Sequence, residues 1–228
     1  RDRNIGDCLF RKQKQMMNIG IILYLFAPNT AFKRAAIPQL KKRLPEEWAQ
    51  IWDSTTAWQS RLAPTRPRHS ASVNIMMRQM EWNCALYRAL KDHGMSHDEA
   101  GPLVEAVGLD VYRPSPIALF KLSRLRSAKR EARVKWVLGL LTRHFFSSPF
   151  IHRHLPPERG EVVAFDVTHC PLANYFKGQG LPELTLYAAC NLDHGVARAF
   201  GVDLVRSQTI ADGSEYCDFR WRFKASET

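Results

Sequence analysis

Val202-Asp203-Leu204-Val205-Arg206-Ser207-Gln208-Thr209-Ile210-Ala211-Asp212-Gly213-Ser214-Glu215-Tyr216-Cys217-Asp218-Phe219-Arg220-Trp221-Arg222-Phe223 is the stretch that decides the fold class. Its flanks alternate, and Asp212-Gly213 is a two-residue hairpin signal. The pattern predicts a strand from Val202 to Ile210, a tight turn, and a partner strand from Glu215 to Phe223 with Cys217, Phe219, Trp221 and Phe223 on one face. Just upstream, Pro182 to Phe200 has helical grammar and closes at Gly201. Before that, Glu161 to His169 alternates as a further strand with Val163, Phe165 and Val167 on one side. His152, His154, Pro156 and Pro157 form a connector into this region. The expected class is α+β, a helical N-terminal region packed on a small C-terminal mixed sheet with a β-hairpin.

Upstream the period changes from two to that of a helix. Asn74 to His93 places Met76 or Met77, Met80, Cys84, Tyr87 and Leu90 on one face, a core stripe that Gly94 ends. Ser96-His97-Asp98-Glu99 is a capping box opening a short helix that Gly108 ends. Ser115-Pro116 starts another helix, which runs with a break to about Phe146. Trp52 and Trp58 lie in a helical segment from Pro45 to Arg61, and Leu62 to Ser72, with Pro64 and Pro67, is a loop. The apolar run Ile19 to Phe26 has about half the length of a bilayer crossing, so it is assigned to a buried N-terminal helix ahead of a signal peptide. These patterns divide the chain into a helical region, 1–155, and an α/β region, 156–228, expected to fold as one integrated domain.

At 228 residues, with 45% hydrophobic and 24% charged, the chain has enough apolar sequence for a substantial core. Five cysteines without regular spacing argue against a disulfide framework and for a reducing cytoplasm. The net charge of +11 is concentrated in the helical region, where 26 Lys and Arg face 12 Asp and Glu; residues 156–228 carry 7 against 10. The densest run, Lys121 to Lys135, interleaves its cations with Leu122, Leu125, Ala128, Ala132 and Trp136 at helical spacing, which is a solvated helix face over a core stripe. No nucleic-acid-binding motif accompanies the charge, so nucleic acid ranks last among the partner classes. Trp82 and Trp136 are candidates for a homo-oligomer interface as readily as for the core.

Chemistry concentrates in the C-terminal region. Cys170 lies in Asp166-Val167-Thr168-His169-Cys170-Pro171, Cys190 in Cys190-Asn191-Leu192-Asp193-His194, and Cys217 in Gly213-Ser214-Glu215-Tyr216-Cys217-Asp218-Phe219. A buried structural cysteine prefers apolar neighbours, whereas each of these has a carboxylate within a few residues. On a helix, Cys190 projects from the same side as Asp193 and His194, three and four residues on. Two chemistries fit. In one, a thiol whose pKa is lowered by a neighbouring His or Arg attacks an electrophilic carbon, with a carboxylate or imidazole as general base. In the other, Cys170, Cys190 and Cys217 bind zinc or an iron-sulfur cluster, with His194 or His169 as fourth ligand, although no Cys-x-x-Cys pair is present. Three ordinary buried thiols are the bland alternative.

The Cys170, Cys190-Asn191-Leu192-Asp193 and Leu204-to-Arg220 motifs, over residues 160–223, resemble the L-2-amino-thiazoline-4-carboxylic acid hydrolase family. The resemblance implies a bacterial cytoplasmic hydrolase that takes a small-molecule substrate, a cyclic isothiourea, and opens the thiazoline ring at the carbon between sulfur and nitrogen toward L-cysteine. No cofactor is implied. Cys170 and Cys190 then become nucleophile candidates, Asp193 and His194 proton-transfer or orienting groups, and Cys217 and Asp218 supporting groups. Arg206 is placed on the substrate carboxylate as a planar fork. Thr209 and His169 complete the substrate-binding candidates, Thr209 with more structural than catalytic character and His169 as an incidental neighbour.

Overall fold

The computed structural model describes residues 27–223, and the Ile19 to Phe26 run lies outside them. Six helices come first: α1 (Pro28–Arg43), α2 (Trp48–Leu62), α3 (Ala71–Asp92), α4 (His97–Tyr112), α5 (Pro114–Leu122) and α6 (Arg130–His144). Strands β1 (Ile151–Leu155) and β2 (Glu161–His169) follow. Then come α7 (Pro171–Gly178), a π-helical turn (Leu186–Cys190), α8 (Asn191–Phe200), β3 (Val202–Val205) and β4 (Cys217–Phe223). The class is α+β, as expected. No helix among the described residues is long and apolar enough to cross a membrane.

Central to the helical layer is α3, which is buried nearly all round instead of along one stripe. Met77, Cys84, Leu86 and Leu90 are fully enclosed, and so are Gln79, Glu81 and Asn83. A buried carboxylate requires partners. Glu81 has them in Arg66 Nη1 at 2.6 Å and Gln59 Nε2 at 2.8 Å. The helix ends where predicted, with Gly94 in the left-handed region at φ 85°. The predicted capping box at Ser96 and Glu99 is formed on both sides.

Gly108, however, does not end α4. The helix continues to Tyr112 because the glycine is a point of close approach: a Cβ there would lie 3.3 Å from the Asn83 amide and 3.5 Å from Leu192. The Gly108 carbonyl accepts from Gln79 Nε2 at 3.0 Å. The basic run breaks into the end of α5, a 3-10 turn (Ser123–Leu125) and α6. Arg133 turns inward there, donating to Phe120 O at 2.7 Å and Ser123 Oγ at 3.1 Å. Trp82 is core, stacked with Phe32 and Trp52, while Trp136 is half-buried beneath Arg126.

The sheet order is β1-β2-β4-β3, and every neighbouring pair is antiparallel, so the sheet is not mixed. β2 and β3 run the same way, but β4 lies between them. The stretch from 151 to 155, read as connector, is the edge strand β1; its imidazoles and arginine are partly or largely exposed, which hides a strand pattern based on burial. β2 and β4 turn one face to the helices, pairing Phe165 with Phe219 and Val167 with Cys217. The opposite face opposes Asp166 to Asp218. Like charges at such a position destabilise a sheet. Here Asp166 is held by Arg220 at 2.8 Å and Arg153 at 2.9 Å, and the Asp218 carboxylate is hydrogen-bonded by the loop described next.

The hairpin joining β3 to β4 exists, but its turn is not two residues long. β3 stops at Val205, and the chain makes an eleven-residue excursion, 206–216, containing a 3-10 turn (Ile210–Asp212) capped by Thr209. Asp218 draws this loop in. Its carboxylate accepts from Ser207 N at 2.9 Å, Gln208 N at 2.7 Å and Ser207 Oγ at 2.7 Å. Those bonds hold its pKa below the ordinary carboxylate value against the opposing effect of burial.

Candidate active site

The loop, β2, β4 and the π-helical turn converge on a cavity of about 70 Å³ beneath α3. Cys170, Cys190, Cys217, Asp193 and Arg206 all line it. Each arrives by a different device. Cys170 is the last residue before α7 and its N-cap, placed there by the end of β2 and by Pro171 at the first helical position. Cys190 closes the π-helical turn, a distortion found frequently at functional sites. Asp193 follows one turn into α8. Cys217 opens β4, and its sulfur accepts the Ile210 N–H at 3.2 Å.

Arg206, the first residue of the loop, is buried to 5% side-chain exposure. Nη2 donates to Cys190 O at 3.0 Å, Nη1 faces Asp193 Oδ2 at 3.5 Å, and the guanidinium lies over the Phe219 ring at 5.2 Å. It is therefore a fixed cation in the wall of the cavity.

The electrostatics reverse one expectation. Instead of being lowered, the Cys170 thiol is pushed up to about 11 by burial, with the Ala173 and Leu172 amides of the α7 first turn pulling the other way. Burial likewise pushes Cys190 up to about 12, against the Arg206 guanidinium. Both thiols are protonated near neutral pH. Asp193 is raised by burial to about 6, with Arg206 opposing. It is the group in the cavity whose proton exchange falls near neutrality, where a general base is most effective.

The remaining sequence candidates are distributed differently. Thr209 is buried beside the cavity, with Oγ1 3.8 Å from Cys190 Sγ and accepting from Ala211 N at 3.0 Å, which makes it a buttress of the loop. His194 shares α8 with Asp193 but does not line the cavity. Asp218 is also outside the lining, its oxygens committed to Ser207 and Gln208. His169 faces outward to Asn174 at 3.1 Å. Among the described residues, no group of three His, Cys, Asp or Glu side chains is arranged to hold a metal ion.

What the sequence did not signal is the opposite wall. Met76, Gln79 and Met80 of α3 and Tyr112 at the end of α4 close the cavity. The two methionines carried the pattern of core residues and are both core and cavity lining. Gln79 sat on no apolar stripe, and a glutamine within a buried helix was the available signal.

A family model described as L-2-amino-thiazoline-4-carboxylic acid hydrolase matches residues 74–221, a span holding α4 to β3, nearly all of α3 and β4, and every residue of the cavity wall. No curated protein and no solved structure matches the chain. The match covers well over half of the sequence and contains the three cysteine motifs in order, so the chain belongs to the L-2-amino-thiazoline-4-carboxylic acid hydrolase family.

Proposed function

We propose that the protein hydrolyses a small cyclic isothiourea carboxylate of the aminothiazoline type, opening the ring by covalent catalysis from Cys170. The observation that carries this reading is the shared wall: a thiol at a helix N-terminus, a carboxylate with a pKa near 6 and a fixed guanidinium face one small, largely apolar cavity. The substrate carbon between sulfur and nitrogen is amidine-like and electrophilic, so it requires a nucleophile and a proton carrier.

The Cys170 thiol is neutral at rest, and its proton must leave as the carbon–sulfur bond forms. The Asp193 carboxylate accepts it. The first-turn amides of α7 stabilise the developing thiolate, as helix N-termini do for cysteine nucleophiles. Asp193 then returns the proton to the departing ring heteroatom. Arg206 keeps Asp193 ionised and offers its remaining N–H groups to the substrate carboxylate. Cys190, with the higher pKa and placed where the π-helical turn runs straight on into α8, forms the floor of the site beside Thr209.

The test is turnover of L-2-amino-thiazoline-4-carboxylate by the reduced protein, monitored as free cysteine and carbamoyl-cysteine. Cys170→Ser is expected to lose at least ~100-fold in kcat, the lower end of what removal of a nucleophile or its acid–base partner costs, whereas Cys190→Ser retains measurable activity. Full activity of Cys170→Ser would remove the covalent mechanism.

A further inference from the structure

A second, smaller cavity adjoins the first, and Tyr112, Phe146, Asp193 and Phe219 belong to the walls of both. Its volume is about 10 Å³, close to the least space, roughly one probe sphere, that holds a single water. Most of the lining is apolar, but Trp221 is part of it. The indole is 3% exposed, and its Nε1–H is buried with no hydrogen-bond partner in the protein. Unpartnered buried N–H groups are rare in native structures, and ordered water is the usual acceptor where protein supplies none. Thr142 also lines the space, with its hydroxyl proton directed to the Leu138 carbonyl at 2.9 Å, which leaves only acceptor capacity on that side.

A donor-only indole and an acceptor carboxylate therefore share the wall of a space the size of one water. A water held there would accept from Trp221 Nε1–H and donate to Asp193, which also borders the larger cavity. We propose that this satellite cavity stores the hydrolytic water, with Trp221 as its positioning residue and Asp193 as the base that activates it. The proposal rests on the reading of the larger cavity as a hydrolase site. In the second half of that reaction the water oxygen bonds to the substrate carbon held on Cys170 and its proton passes to Asp193. The carbon–sulfur bond to Cys170 then breaks, and the departing sulfur takes the proton from Asp193. One water is consumed, and no oxidant or reductant is needed.

Trp221→Phe keeps the ring and removes the N–H. Two readouts on the wild type and this variant decide the matter: a crystal structure at a resolution that shows ordered water, and steady-state kinetics on the aminothiazoline carboxylate with hydroxylamine as a competing nucleophile. The expected result is a water within hydrogen-bond reach of Trp221 Nε1 and the Asp193 carboxylate in the wild type. In Trp221→Phe that water is lost, kcat falls about tenfold with KM within twofold, and the product ratio shifts toward the hydroxylamine adduct. A purely structural role would lower hydrolysis and aminolysis together and leave the ratio unchanged. A dry cavity, or an unchanged product ratio with the water present, overturns the proposal while leaving turnover intact. A wild type with the water in place but inactive on the substrate instead overturns the functional reading, and with it the hydrolytic role of the water.

Discussion

Asp193 links the chemistry to pH. Its folded-state pKa of about 6 lies above the ordinary value of 3.8, so between these values the folded protein binds the proton more tightly than the unfolded chain. Stability from this residue is present at low pH and declines as pH rises from about 4 to about 6, by roughly 3 kcal/mol in total at 1.36 kcal/mol per pKa unit. Under the proposed mechanism activity runs the opposite way, because Asp193 acts as a base only when ionised. The acidic limb of kcat/KM is therefore predicted to rise with an apparent pKa near 6 and to disappear in Asp193→Asn. The stability difference between wild type and Asp193→Asn, measured by denaturant unfolding from pH 4 to 7, should change across the same window. At Asp218 the direction is reversed: its lowered pKa contributes stability that is present above the ordinary carboxylate value and lost as pH falls through the folded value.

At the scale of elements, the loop between β3 and β4 and the packing of α4 decide whether the cavity exists. Asp218→Ala removes three acceptor contacts at once. With hydrogen bonds to a charged group worth about 1.5–3 kcal/mol each and partial replacement by water, a loss of about 2–4 kcal/mol in unfolding free energy is predicted. Activity should fall as well, because Arg206 and Thr209 ride on the released loop. Gly101 is the corresponding point on α4: an added Cβ would lie 2.7 Å from the Tyr187 ring, which belongs to the π-helical turn leading to Cys190. Helix propensity favours Gly101→Ala by about 1 kcal/mol, and overpacking costs about 1–3 kcal/mol. Thermal unfolding should therefore show a net destabilisation of about 1 kcal/mol; a stabilised Gly101→Ala would mean that the aromatic ring moves freely.

Sequence legibility also divides at this scale. The capping box, the Gly94 and Gly201 stops and the β2 pattern depend on local chemistry, and each appears where it was read. Gly108 misled because its purpose is contact with Asn83 and Leu192, both distant in sequence. Asp212-Gly213 misled because the pull of Asp218 on Ser207 and Gln208 outweighs a local turn preference. The polar neighbours of the three cysteines pointed to one cleft, and the three thiols line one cavity. The Met76, Gln79 and Met80 wall was not, since a residue that closes a cavity carries the same pattern as one that fills a core. The raised thiols were also hidden, because burial from a helix far along the chain leaves no trace beside Cys170.

Across the whole molecule, the charge excess of the helical region is partly internal. Arg133 is buried, and Arg66 pairs with the buried Glu81. Binding to duplex DNA, measured by fluorescence anisotropy, is accordingly predicted to stay within the ~10⁻⁴ to 10⁻⁶ M nonspecific range and to weaken steeply with added salt; sequence-selective binding would contradict this. What the helices supply to the site is the lid of α3 and the low-dielectric surroundings that raise Asp193 and the thiols together. The proposed attack of Cys170 on the substrate is open to acid-quenching of the wild-type reaction and mapping of adducts by peptide mass spectrometry. A transient substrate-derived adduct is expected on the peptide containing Cys170, absent from Asp193→Asn. Turnover with no adduct on any cysteine, or an adduct confined to Cys190 or Cys217, would contradict it.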